Sequence, residues 1–242
     1  MTPLEIPVDD TRAIELVVAV HGGDIDAIRR LLSDDPRLAR AWIGDSKGLR
    51  TPLHMAADWP GYFPNGPQIV RLLIDAGADP SFRHPTRCDE TPLHWAASSD
   101  DVDVAAALID GGADIEVPGG SIGTPLANAV GYGCWHVARL LVARGARIDS
   151  LWEAAARGDR ARVDEVLAAD PPPASSDIDE AFWQACNGGQ RRMAEYLLAQ
   201  GANINAVPEY AGHQTALEAA AGPDTRRQNL VDWLKGRGAA QA

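Results

Sequence analysis

Lysine is nearly missing from this chain of 242 residues: Lys47 and Lys235 are the only two among 22 basic residues. Arginine in place of lysine, with abundant alanine, points to a GC-rich bacterial genome. Positive charge as a whole is scarce, since 34 acidic residues against 22 basic ones leave a formal charge of -12. Binding to nucleic acid through phosphate neutralisation is therefore excluded. Cysteine is also sparse. Cys88, Cys134 and Cys186 are odd in number, far apart and without a C-x-x-C pair, which excludes a disulfide framework and a cysteine zinc site. A reducing compartment is expected. No run of ~18 apolar residues is present, so no membrane-spanning helix is encoded. The opening MTPLEIPVDDTR lacks the basic start and apolar stretch of a secretory signal, and a cytoplasmic protein is expected. Against these absences, 45% apolar and 23% charged residues exclude a disordered or fibrous chain.

What the chain has in quantity is repetition. TPLHMAA at 51–57, TPLHWAA at 91–97 and TPLANAV at 124–130 start 40 and then 33 residues apart. Each is followed by a second block: RLLIDAGADP at 71–80, AALIDGGADIE at 106–116 and RLLVARGARID at 139–149, with YLLAQGANIN at 196–205. Thr51, Thr91 and Thr124 are suited to cap a helix, and the proline after each fits its first position, where a missing N–H costs nothing. The Ala-Ala pair lets neighbouring helices approach. In the second block the leucine pairs supply a buried face, and Gly77, Gly112, Gly145 and Gly201 are placed to end the helix in a left-handed conformation. The unit is predicted to be two short helices and a turn.

T-P-L-H-x-A-A, a period near 33 and the Gly-Ala step after the second helix make this unit resemble the ankyrin repeat. The resemblance implies an all-α solenoid of stacked helix-turn-helix units with short hairpin loops, inner helices and hairpin tips lining a concave groove. It also implies a single domain, 1–242, with repeats near 11–43, 50–82, 90–116, 123–149, 150–170, 179–205 and 214–239. A weak junction is expected at 170–178, where DPPPASSD replaces the Gly-Ala step and its prolines cannot continue a helix. WPGYFPNGP, at 59–67, is an insertion of about five residues in repeat two, and long loops on a rigid scaffold often carry function.

GGSIG, at 119–123, matches G-x-S-x-G formally, but it falls in an inter-repeat hairpin rather than a strand-to-helix turn, so Gly119, Gly120 and Gly123 are assigned to turn geometry and Ser121 to no catalysis. The resemblance implies that His54 and His94 make structural bonds between repeats. His54 and Asp58 share a helix face, yet no third metal ligand accompanies them, and no metal or cofactor is expected. His136 is predicted to face outward, Asp9-Asp10 and Asp100-Asp101 to be solvated turn residues, and Arg29-Arg30, Arg191-Arg192 and Arg226-Arg227 to form a solvated outer face.

Aromatic placement carries the functional signal. Seven tryptophans is high for this length. Alignment of the repeats places Trp59 and Trp95 on adjacent inner helices with Tyr132 on the next, Tyr62 and Phe63 closing over them from the insertion. Exposed aromatics mark binding surfaces. Met55, Asp58, Ser98, Ser99, Asn128, Glu153, Arg157 and Asn187 occupy further inner positions facing the groove, while Trp152 and Trp183, at the TPLH histidine position, fill gaps between repeats. The reading is a non-catalytic scaffold that binds a protein or peptide in the groove near the insertion. The alternative is a small-molecule binder or atypical enzyme in which Trp59, Trp95 and Tyr132 form a pocket and Asp58, beside apolar neighbours, acts as acid or base. A third reading uses the same aromatics in a homo-oligomer.

Overall fold

A computed structural model describes residues 4–44, 48–84, 86, 88–120, 122–222 and 227–240. It divides into two compact units, Met1–Arg147 and Ile148–Ala242. In the first unit helices come in consecutive pairs: α1 (Thr11–Gly22) with α2 (Ile25–Asp34), α3 (Pro52–Ala56) with α4 (Gly66–Asp75), α5 (Pro92–Ser98) with α6 (Val102–Asp110), and α7 (Pro125–Gly131) with α8 (Trp135–Ala143). The second unit continues with α9 (Leu151–Arg157) and α10 (Arg160–Leu167), α11 (Ser175–Asn187) and α12 (Arg191–Ala199), α13 (Ala216–Ala220) and α14 (Gln228–Gly236). Among the described residues, the strands are β1 (Glu5–Ile6), β2 (Trp42–Gly44) and β3 (Leu49–Arg50), where β2 pairs parallel with β1 and antiparallel with β3. The expected weak junction at 170–178 lies inside the second unit, where α11 already begins at Ser175.

The recurring turn has one mechanism. Ala78, Ala113, Ala146 and Ala202 each donate a backbone N–H to the leucine carbonyl five residues earlier, at 2.9, 2.9, 2.9 and 3.1 Å. The glycine between them, at 77, 112, 145 and 201, has φ of 98°, 95°, 96° and 99°. This is the left-handed closure that satisfies the last helix carbonyls, and only glycine enters it without a Cβ penalty.

Consecutive repeats are tied by a second device. Thr51 donates its backbone N–H to His54 Nδ1 (3.2 Å), which leaves the proton on Nε2 to reach the Glu90 carbonyl at 3.0 Å. Thr91 and His94 repeat this, with His94 Nε2 at 2.9 Å from the Gly123 carbonyl. In the second unit Trp183 does the same work with its indole, donating Nε1–H to the Gln214 carbonyl at 2.9 Å. Glu90, Gly123 and Gln214 each immediately precede the threonine of the next repeat. Both histidines are fully buried, and burial holds His54 down to about pKa 4 and lowers His94 as well.

Several positions differ from the sequence expectation. Glu153, read as a groove acid, is buried and occupies the histidine position: its carboxylate accepts the Ser150 N–H at 3.0 Å and hydroxyl at 2.7 Å, while Ser150 Oγ accepts the Glu153 N–H. Trp152 is accordingly one residue earlier than that position. Asp101, expected in solvent, is buried and caps α6 through Val104 N–H at 3.0 Å. Asp100 adopts φ 54°, the left-handed step for which other repeats use glycine, such as Gly133 and Gly158. Its carboxylate repays the strain by accepting the N–H groups of His136 and Val137, both at 3.0 Å, and contacting His136 Nδ1 at 2.6 Å. It thereby caps α8, whose own N-cap residue Cys134 supplies no side-chain bond. Arg227 is likewise no solvated residue: it donates to the Asn187 carbonyl at 2.7 Å and lies over Gly189. Ser121 and Arg226 lie outside the described residues.

Candidate functional site

The inserted segment 59–65 is held from both sides. Asn65 Nδ2 donates to the Gly23 carbonyl at 2.9 Å, and the Phe63 ring stacks on His21 with centroids 4.3 Å apart. On the other side Tyr62 donates its hydroxyl to the Asp100 carbonyl at 2.6 Å and its N–H to Asp101 Oδ2 at 2.5 Å. Gly23 is required here, because a Cβ on it would stand 2.5 Å from the Pro64 carbonyl oxygen. Tyr62 and Phe63 are thus spent on binding the insertion to the repeats before and after it. They do not close over the cavity.

That cavity has a volume of about 470 Å³ and is lined by Asp58, Trp59, Glu90, Trp95, Ser98, Ser99 and Tyr132. The repeat positions explain which residues reach it. Residues four beyond the repeat threonine are Met55, Trp95 and Asn128; Met55 and Asn128 are buried and Trp95 is half-buried. Residues eight beyond are Trp59, Ser99 and Tyr132, which form the rim. Trp59 is 79% exposed and Tyr132 59%. Trp59 follows the end of α3 rather than lying on it and leaves most of its ring in solvent, whereas Trp95 sits within α5 and meets the His54 ring edge-on at 5.1 Å.

The polar groups of the wall are mostly acceptors. Asp58 Oδ1 accepts the Trp59 N–H at 2.8 Å, and its Oδ2 lies 3.8 Å from Arg50 Nη1. Arg50 in turn lies over the Trp95 ring, 5.6 Å from its centroid. Glu90 Oε1 accepts from Asn128 Nδ2 at 3.1 Å, and the same amide reaches Ser98 Oγ at 3.3 Å. Asn128 Oδ1, buried beneath, has no hydrogen-bond partner among the described residues. The serine protons are turned inward: Ser98 donates to the His94 carbonyl at 3.0 Å and Ser99 to the Trp95 carbonyl at 3.1 Å. Sequence reading missed Arg50 and Glu90. Each directly precedes a repeat threonine, so comparing that one position across the repeats would have found a cation and an anion facing the groove.

Cys88 Sγ lies 3.4 Å from His54 Nε2, the spacing of a thiol and its base. Burial pushes the thiol up to about 11 and the His54 Nε2 proton points to the Glu90 carbonyl, both of which disfavour a thiolate here. Among the described residues, no group of three or more His, Cys, Asp or Glu could hold a metal ion. Arg157 and Asn187 are half-buried residues of the second unit, at the ends of α9 and α11.

The different burial of the two tryptophans separates their expected stability effects. Trp59→Ala should change unfolding free energy by less than ~1 kcal/mol, since an exposed ring contributes little packing. Trp95→Ala should cost about 1–2 kcal/mol through its edge contact with His54 and its place over Arg50. Urea titration of both variants tests this, and equal costs would contradict the rim and floor assignment.

The family model described as ankyrin repeats in three copies matches residues 62–150, and that of the single ankyrin repeat matches 181–208. Among curated proteins, the B-cell lymphoma 3 protein homolog of Mus musculus is 30% identical over 220 residues, which is 89% of this chain and 42% of that protein. The B-cell lymphoma 3 protein of Homo sapiens is 32% identical over 165 residues, 62% of this chain and 35% of its own length. Protein fem-1 homolog A of Bos taurus is 40% identical over 98 residues, 37% of this chain and 13% of its own. The chain spans less than half the length of these relatives. Among solved structures, the ankyrin repeat domain of Bcl-3, described as a unique member of the IkappaB protein family, aligns with a TM-score of 0.53 at 26% identity, covering 92% of this chain and 98% of that one. No helix among the described residues is long and apolar enough to cross a membrane.

Proposed function

The chain belongs to the ankyrin-repeat family, and from that premise we propose that it is a protein-interaction module whose first unit binds a peptide segment of a partner in the cavity between Trp59, Trp95 and Tyr132. The observation that carries this reading is the exposure of Trp59, 79% in the free protein. A large ring left in water beside a half-buried one costs hydrophobic free energy that an incoming chain recovers. The open rim favours an extended segment over an enclosed small molecule. We place the protein in a reducing compartment, in keeping with free thiols at Cys88, Cys134 and Cys186.

A photo-crosslinking amino acid tests the location. Introduced at Tyr132, on the rim, it should trap a partner from a lysate of the native host. The same residue at Arg71 or Arg139, exposed on α4 and α8, should not. In quantitative binding, Trp59→Ala should lower affinity at least ~20-fold, as truncation of an interface anchor does. Equal crosslinking from the outer helices, or unchanged affinity of Trp59→Ala, would refute the assignment of the groove.

A further inference from the structure

We propose that this site recognises an arginine side chain of a basic peptide, an inference that rests on the peptide-binding reading above and specifies the chemistry of its ligand. Three aromatic side chains and two carboxylates line one cavity: Trp59, Trp95 and Tyr132 with Asp58 and Glu90. Rings attract a cation through their negative faces, and carboxylates demand charge-assisted donors. The two serine hydroxyls in the wall have spent their protons on backbone carbonyls, and the nearby Asn128 amide has spent its N–H donors on Glu90 and Ser98. Their remaining capacity is to accept. A ligand that suits this wall brings positive charge, several N–H donors and a flat face.

The protein already demonstrates the match with a residue of its own. Arg50 places a guanidinium over the Trp95 ring at 5.6 Å and within 3.8 Å of the Asp58 carboxylate. That pair is beyond hydrogen-bond distance and half exposed, so Asp58 Oδ2 retains hydrogen-bonding capacity for a donor from outside. Guanidinium is favoured over ammonium because it is planar, stacks on aromatic faces and forks onto carboxylates, whereas ammonium is a compact and strongly hydrated point charge. The cavity, about 470 Å³, is in the range that accepts a side chain with its flanking backbone. The chain's net charge of -12 adds long-range attraction for a basic segment.

The experiment uses the full chain and synthetic peptides in isothermal titration, after selection from a phage-displayed random peptide library with the Trp59→Ala variant as counter-target. Library peptides that bind in a Trp59-dependent way should contain arginine. In a selected peptide, replacing that arginine with citrulline, its neutral isostere, should weaken binding at least about tenfold, and lysine should lose part of that. Asp58→Asn should weaken the arginine peptide by a similar factor while leaving the citrulline peptide unchanged, and Glu90→Gln is the second variant if Asp58→Asn disturbs the insertion. Circular dichroism confirms that each variant is folded. Selected peptides that are apolar or acidic, or a citrulline peptide that binds within twofold of its arginine parent, would overturn the arginine inference and leave the peptide-binding reading standing. A library that yields no Trp59-dependent binder would overturn both.

Discussion

Replacing His54 with alanine should destabilise the first unit by about 3–5 kcal/mol, measured as the unfolding free energy in urea at pH 7. The change weakens two backbone groups at once. The Thr51 N–H loses its acceptor, at ~1–3 kcal/mol when it cannot reach water, the Glu90 carbonyl loses its imidazole donor and keeps only the weak Cys88 thiol at 3.4 Å, and a cavity opens where a fully buried ring had been. A loss under ~1 kcal/mol would show that the inter-repeat bond carries no weight. The same residue also sets a pH dependence. Folding lowers the His54 pKa to about 4 from 6.5, so the unfolded chain binds its proton more readily, and stability falls as pH drops below about 6.5 until it levels off near pH 4. Between pH 7 and pH 5 this amounts to roughly 2 kcal/mol. Most carboxylates stay ionised above pH 5, so the histidines dominate that window, His94 acting in the same direction. His54→Gln, which retains an N–H toward Glu90, should flatten the decline without abolishing the fold. An unchanged slope in that variant would refute the linkage.

Fold and site were legible in the sequence to different degrees, and the difference has a physical origin. Thr-Pro at a helix start and glycine at a helix end are local instructions: a cap needs a hydroxyl within three residues and a left-handed step needs no Cβ. The four Gly-Ala turns with φ from 95° to 99° were therefore readable in advance, as were the three Thr-Pro starts. Asp100 was not. Its left-handed φ and its cap on α8, 36 residues away, depend on a neighbour brought in by stacking, and as a sequence it looks like any turn aspartate. The insertion was visible as extra length, but what Tyr62 and Phe63 touch was not, because their partners His21 and Asp100 belong to the preceding and following repeats. Likewise Glu153 reads as a groove acid only when Trp152, one residue earlier, is set on the histidine position. Ser150 and Glu153 form a capping box, and reading S-x-x-E as that motif would have placed Glu153 on His54's position. The aromatic residues of the candidate site were found because their chemistry is conspicuous, whereas Arg50 and Glu90 were missed because single charges on a hairpin are common.

Gly188→Ala should destabilise the second unit by about 3 kcal/mol, although the substitution adds one methyl group and ordinarily favours a helix terminus. Gly188 closes α11 with φ -74°, a conformation any residue adopts, so backbone strain is not the cause. The cause is proximity. A Cβ built on Gly188 would stand 2.0 Å from the Ala156 carbonyl oxygen and 2.8 Å from its carbon, and a backbone carbonyl cannot rotate aside as a side chain can. Relief requires α9 and α11 to separate, and both helices contribute fully buried residues, Ala154, Ala155, Ala181, Phe182 and Ala185, to one packed core, so separation loosens contacts throughout it. Overpacking of this kind costs ~1–3 kcal/mol where the surroundings yield, and the rigid partner here puts the expected value at the upper end. Gly236, the last residue of α14, provides the control, since a Cβ there meets nothing within 4 Å. Gly236→Ala should leave stability unchanged or raise it by up to ~1 kcal/mol through lower chain entropy in the unfolded state. The identical chemical change thus has opposite expected signs at two helix ends of one unit, and thermal unfolding of both variants reads the difference directly. If Gly188→Ala unfolds within ~0.5 kcal/mol of the parent, the close approach of α9 and α11 is not what holds these repeats together.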